Sequence, residues 1–241
     1  MNAIKKKIIA ICGIDTGVGK TVVTGLLAAF LAGHGHRVIT QKPVQTGCDG
    51  RPEDIVFHRR LMNAPWNEYD EQGLTCSYCF SFAGSPHLAA RLADKRIEQA
   101  VIDRATEALA ADHDHVLLEG AGGLLVPFSK NLLQLDYFQQ CGYPLILVTT
   151  PRLGSINHTL LAIEAIRTRN MFLAGLVYNV YGKHPLELIL DSRRVMEQGL
   201  RSYGFACPLL LLPDFHESRS SNWQPILDNC YSSIQAADFS L

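Results

Sequence analysis

The sequence lacks any apolar run near the roughly 18–20 residues needed to cross a bilayer. The stretch after the first lysines, Ile8 to Cys12, runs straight into glycine, so neither a membrane span nor a secretory leader is expected. Positive charge is not in excess: 22 Lys and Arg stand against 23 Asp and Glu, a formal net charge of −1. A nucleic-acid groove needs a basic surplus, so none is expected, and Lys5-Lys6-Lys7 reads as a solvated lead-in to a strand. No second cysteine pair accompanies Cys76 and Cys79 at zinc-finger spacing, so these two read as free thiols in a loop. The seven cysteines are an odd number, and Cys12, Cys141 and Cys207 sit in apolar contexts, as in a reduced, cytoplasmic protein. Repeats, low-complexity segments and linkers are missing too. With 241 residues, 47% of them apolar, the expectation is one α/β domain over residues 1–241.

What is there is an alternation of short apolar runs and helical periods. Lys7–Gly13, Val38–Pro43, His115–Glu119, Pro144–Thr149, Leu173–Asn179 and Pro208–Leu212 read as strands. Thr21–Ala32, Ile55–Met62, Ile97–Ala111, Ser155–Arg169 and Pro185–Tyr203 read as helices. The first buries Val22, Leu26, Ala29 and Phe30, and the third buries Ile97, Ala100, Val101, Ala108 and Leu109. Ser155 is the expected N-cap of its helix. Trp66–Ser85 reads as irregular, and a weak helix follows Trp223. Fully apolar strands imply a mostly parallel sheet with helices on both faces, a three-layer sandwich. Ligands of such sheets sit beyond the carboxyl ends of the strands. Four of those ends carry polar or glycine-rich chemistry: after Gly13, at Lys42, at Glu119 and at Asn179. They are expected to share one crevice.

The most specific motif is Gly13-Ile14-Asp15-Thr16-Gly17-Val18-Gly19-Lys20-Thr21, between a strand and a helix. That is the setting of a phosphate-binding loop (P-loop), whose inward N–H groups and helix N-terminus hold phosphate oxygens. Lys20 can reach the outer phosphates, and the Thr21 hydroxyl can ligate magnesium. The first glycine is one residue further from Gly-Lys than in the common pattern, with Ile14 in its place. Lys42, in Lys42-Pro43-Val44-Gln45-Thr46-Gly47, can neutralise a transferring phosphoryl group or an anionic intermediate. Asp54, or its neighbour Glu53, and Glu119 at the end of the third strand offer carboxylates to magnesium. Glu119-Gly120-Ala121-Gly122-Gly123 lets backbone approach a ligand. Leu153-Gly154-Ser155-Ile156-Asn157-His158 opens a helix whose first amides suit a carboxylate, and Asn179 can read an adenine edge.

Taken together, and with Ser85-Pro86-His87 in the expected place, these motifs resemble the dethiobiotin synthetase family in residue and in order. The resemblance implies a P-loop NTPase fold and ATP-dependent carboxylation of 7,8-diaminopelargonate. One amine takes up CO2 as a carbamate, the carbamate attacks the γ-phosphate, and the mixed anhydride closes on the second amine to give a cyclic urea. It implies Thr16, Lys20 and Lys42 around the carbamate and phosphoryl, and Thr21, Asp54 and Glu119 on Mg2+. It also implies ATP held by Gly17, Val18, Gly19, Val22, Gly120, Ala121, Gly122 and Asn179, with Pro213 flanking the base. Thr46 is implied to contact the diamine. Ser155, Ile156 and Asn157 are implied to take its carboxylate from a neighbouring subunit, in a homodimer.

Three other readings compete, one of them a non-enzymatic nucleotide-binding module, which carboxylates and lysines placed for chemistry argue against. A partitioning or septum-site ATPase shares this architecture, but such proteins carry an extra lysine early in the loop, and Gly13 to Gly19 contain none. A cobyrinate-type amidotransferase would need a further glutaminase domain.

Overall fold

The structure is a computed structural model and describes residues 8–213. Lys5-Lys6-Lys7 and the helix expected after Trp223 lie outside the described residues. Six parallel strands form the central sheet in the order β10-β9-β8-β1-β5-β2. These are β1 (Ile8–Gly13), β2 (Val38–Gln41), β5 (His115–Gly123), β8 (Leu145–Thr149), β9 (Leu173–Asn179) and β10 (Leu209–Leu212). The strand pleat divides β1 between two cores. Ile9 and Ile11 meet Val23, Leu27 and Leu31 of α1 (Lys20–Gly33) on one face. Ile8, Ala10 and Cys12 face the other, toward α5 (Gln99–Asp112), α6 (Gln134–Cys141), α7 (Ser155–Thr168) and α8 (Leu186–Ser202). Ile9 and Ile11 are 1% and 0% exposed. Burial of that completeness contributes about 1.5–3 kcal/mol for each such side chain. The expected sheet, covered on both faces, is therefore present.

Two helix faces differ from expectation. α1 buries Val23, Leu27 and Leu31, and leaves Val22, Leu26 and Ala29 half-buried. α5 buries Ile102, Ala105, Thr106 and Leu109, while Ala100 and Ala108 are exposed. α1 is apolar around most of its circumference and α5 carries small alanines on several sides, so the period admits more than one face and packing selects one.

The stretch from Trp66 to Ser85 is not wholly irregular. It holds α3 (Glu68–Glu71) and β4 (Tyr78–Phe80), and β4 pairs in parallel with β3 (Val44–Thr46). Cys79 is thus on a strand, and the six described cysteines are free thiols. A buried ion pair organises this region. Arg59, on α2 (Glu53–Leu61), grips both oxygens of Asp70 at 2.9 and 2.7 Å and donates to Thr40 Oγ1 at 2.9 Å. The Thr75 hydroxyl donates to Asp70 at 2.7 Å, and the Lys42 amide donates to the Thr75 carbonyl at 2.7 Å. This ties α2 to the end of β2, which places Asp54 beside Lys42. The remaining elements are α4 (Pro86–Leu92) and an antiparallel pair of β6 (Pro127–Ser129) with β7 (Leu132–Leu133).

Candidate active site

A crevice of about 850 Å³ opens beyond the carboxyl ends of β1, β2, β5 and β9. That size suits a nucleotide-sized ligand. The four chemically equipped strand ends meet there as expected. Thr16, Gly17, Gly19, Lys20, Thr21 and Val22 line it from the loop and α1. Lys42, Thr46 and Asp54 line it from the β2–α2 segment, Glu119, Ala121 and Gly122 from β5, and Asn179 from β9.

The loop has the backbone that a phosphate cradle requires. Gly17 and Gly19 adopt φ of 75° and 94°, a region favouring glycine. Gly19 is also the N-cap of α1, so the free amides of that helix begin at the loop. A Cβ on Gly19 would lie 2.1 Å from Asn179 Nδ2. Asn179 donates that nitrogen to the Val18 carbonyl at 2.9 Å, so the end of β9 braces the loop. The Val18 side chain is 1% exposed and belongs to the core, so its contribution to the crevice is backbone. Lys20 Nζ donates to the Asp15 carbonyl at 2.8 Å, across the loop. Burial, reinforced by the nearby Lys42 ammonium, pushes the Lys20 amine down to about 8. Burial pushes the Cys12 thiol beneath it up to about 12, against the opposing pull of Lys20.

The electrostatic centre is Lys42, which is 5% exposed. Its ammonium lies 2.7 Å from Asp54 Oδ2, 2.7 Å from Glu119 Oε1 and 3.0 Å from the Gly120 carbonyl. Burial disfavours its charge, but Glu119 and Asp54 outweigh that and hold the amine above its usual range. Burial would raise the Glu119 carboxyl; Lys42, aided by the hydrogen bond from His58, instead draws it down to about 2. Thr21 Oγ1 donates toward Asp54 Oδ1 at 3.2 Å and Glu119 Oε1 at 3.0 Å. Two carboxylates and a hydroxyl thus converge from α1, α2 and β5. Of the two neighbouring acids at the start of α2, Asp54 makes these contacts, and Glu53 is an exposed residue of the crevice rim.

Two residues expected to hold ATP, Pro213 and Gly120, do not line the crevice. Pro213 follows β10. Gly120 contributes through its carbonyl bond to Lys42, not as a lining residue. Ser155, Ile156 and Asn157, expected to serve the site of a neighbouring subunit, lie outside the crevice of their own chain. Gly154, with φ of 87°, and not Ser155, is the N-cap of α7. Ser155 is the first helical residue, buried, and its hydroxyl has no partner. Arg152, just before this helix, pairs with Asp15 of the loop. With the Thr16 amide, that pair overrides burial and holds the Asp15 carboxyl below the usual range.

Several crevice residues carried no signal in the sequence. Gln45 and Phe57 line it, and the Gln45 side-chain oxygen accepts from the Asp54 amide at 3.2 Å. Val126 and Tyr181 add apolar surface. Gly84, Ser85 and Pro86 close one wall, which gives the Ser85-Pro86-His87 motif a location.

Comparison with known proteins narrows the reading. A family model described as an AAA domain matches residues 7–204. The ATP-dependent dethiobiotin synthetase BioD of Chlorobaculum tepidum is 50% identical over 201 residues, 83% of this chain and 84% of that protein. BioD 2 of Haemophilus influenzae is 49% identical over 183 residues, 76% of this chain and 96% of the relative. The chain belongs to the ATP-dependent dethiobiotin synthetase family.

Solved structures at lower identity agree on the fold alone. A putative plasmid partition protein of Borrelia burgdorferi, bound to AMPPNP, superposes with a TM-score of 0.55 at 14% identity, covering 96% of this chain and 99% of that one. The septum site-determining protein MinD of Pyrococcus horikoshii, complexed with Mg-ADP, gives 0.51 at 15% identity, covering 97% and 96%. Dethiobiotin synthetase relatives share far more of the sequence, so the likeness to partition and septum-site ATPases ends at the shared P-loop architecture.

Proposed function

We infer that the protein is an ATP-dependent dethiobiotin synthetase, a cyclo-ligase that builds the ureido ring of dethiobiotin from 7,8-diaminopelargonate and CO2. The observation that carries this reading is Lys42. It is a second lysine beside the P-loop lysine, held at the crevice by Asp54 and Glu119. A carbamate attacking a γ-phosphate brings two anions together, and paired cations offset their repulsion. Lys20 and Lys42 meet that need, with Thr16 at the loop edge. The carbamate oxygen bonds to phosphorus as ADP leaves. The second amine then bonds to the carbonyl carbon as phosphate leaves, and its proton passes to solvent.

The donor set suits magnesium. Thr21, Asp54 and Glu119 present oxygen alone, which favours a hard cation. Among the described residues no group of three or more His, Cys, Asp or Glu could hold a metal ion. Two carboxylates and a hydroxyl therefore fit a magnesium ion whose other ligands are phosphates and water. When bound, that ion neutralises phosphate charge. In its absence the Lys42 ammonium balances the same carboxylates.

Thr46 faces the crevice from β3 and suits contact with the diamine. Asn179 and the end of β9 suit the base, with Pro213 nearby in sequence to β10. Ser155 to Asn157 would take the substrate carboxylate in the partner's site, which makes the working form a homodimer of single-domain chains. Exposed Leu153 and Leu161, 90% and 56% accessible beside this helix start, support an apolar contact there.

The test is isotopic. Incubation with 7,8-diaminopelargonate, ATP, magnesium and carbon-13 bicarbonate should give dethiobiotin carrying one labelled carbon, read by mass spectrometry. ATP consumption without a labelled cyclic urea would overturn the assignment.

A further inference from the structure

Glu119 divides its two oxygens between different tasks. Oε1 faces the crevice and takes Lys42 at 2.7 Å and Thr21 at 3.0 Å. Oε2 faces inward and meets His58 Nε2 at 2.8 Å. His58 is 0% exposed and Glu119 is 1% exposed, so water does not compete for this bond. A carboxylate held near full ionisation is an acceptor only, so the hydrogen between them belongs to Nε2. The other ring nitrogen, Nδ1, is buried without a partner. The ring is thus committed to Glu119 alone, and packing holds it there.

His58 sits one helical turn after Asp54 on α2, so both project from the same helix face. Asp54 grips Lys42 and His58 grips Glu119, so one turn of α2 sets both carboxylates of the crevice. The Arg59–Asp70 pair, at the next residue, anchors that turn to α3.

We propose that His58 is a positioning residue: by holding Oε2 from behind, it fixes the Glu119 carboxylate so that Oε1 is presented to Lys42, Thr21 and the metal. The inference rests on the assignment of Glu119 to magnesium made above. His58 touches neither the crevice nor the reacting groups. Its effect is transmitted through Glu119. Loss of such a hydrogen bond behind a ligand typically weakens metal affinity or activity by about 10–100-fold.

Manganese bound in the presence of ADP, measured by electron paramagnetic resonance on the full-length protein, gives the test. His58→Leu should raise the manganese dissociation constant about tenfold or more, and His58→Gln, whose amide can still donate to Oε2, should stay within about threefold of wild type. Metal-free ADP affinity and the Michaelis constant for the diamine should not move, whereas a general loss of structure would shift all of them. If His58→Leu does not fold, His58→Asn, whose amide falls short of Oε2, takes its place with the same expectation. Unchanged manganese binding in the Leu or Asn variant overturns the inference, as does a Gln variant as weak as either. Glu119→Gln, measured in parallel, separates the two levels. If it binds manganese normally, the metal assignment fails and the inference with it. If it binds weakly while the His58 variants bind normally, the positioning role alone is refuted.

Discussion

Replacing Lys42 by glutamine should leave the two buried carboxylates of the crevice without the cation that holds them together. The ammonium makes contacts of 2.7, 2.7 and 3.0 Å and is almost fully buried. Without it, Asp54 and Glu119 confront each other across the Thr21 hydroxyl they share. Removing one partner of a buried ion pair costs about 3–5 kcal/mol, because the remaining charge loses its compensation and keeps its desolvation penalty. The Glu119 carboxyl reports the same compensation. It is held at about 2 against an ordinary 4.5, with Lys42 the largest charge opposing the cost of burial. For a chain of this size the melting temperature should fall by about 10 °C. Magnesium and nucleotide should restore part of the loss, since a divalent cation substitutes for the missing charge. Turnover should fall about 10²–10³-fold even with both present. Urea denaturation at neutral pH, with and without magnesium and ADP, measures the stability terms. A Lys42→Gln protein within about 0.5 kcal/mol of wild type, and insensitive to magnesium, would refute the electrostatic account of this cluster.

Glu119→Gln should alter acid stability. The folded carboxyl is depressed, so its contribution is complete above about 4.5 and is lost as pH falls toward about 2. The variant should lack that slope in acid denaturation monitored by circular dichroism. Gly19→Ala should abolish nucleotide binding and destabilise the fold by about 1–3 kcal/mol, given its positive φ and the approach of Asn179. In an Asn179→Ala background the same change should cost less; simple additivity in a double-mutant cycle would mean that Asn179 does not brace the loop. Asp54→Asn should raise the magnesium concentration for half-maximal activity and Glu53→Gln should not, because Asp54 alone of the two contacts Lys42 and Thr21. The reverse order would move the ligand to Glu53.

The legible parts of this protein are those where chemistry is local in sequence. The P-loop is nine consecutive residues, and its glycines, lysine and threonine announce both conformation and ligand. Lys42 and Asn179 stand at strand ends, and Glu119 lies on β5, which continues four residues further to Gly123; the parallel sheet brings their carboxyl-end chemistry together without further instruction. His58 was invisible because a single histidine on a short helix has no pattern. Its meaning comes from Glu119, in sequence far away and in space 2.8 Å distant. β4 and α3 were missed for the same reason, since Arg59, Asp70 and Thr75 create order there through tertiary bonds. The cap of α7 was misassigned because Ser155 has the preferred side chain, while the backbone needed the positive φ of Gly154.

The most direct test of the account is ADP release measured with and without the second substrates. On the proposed roles of Lys20 and Lys42, ATP should stay intact until an acceptor carbamate is formed. ATP turnover should be near-silent with 7,8-diaminopelargonate or bicarbonate omitted, and one ADP should appear for each ring closed when both are present. Steady ATP hydrolysis that neither substrate changes would contradict it.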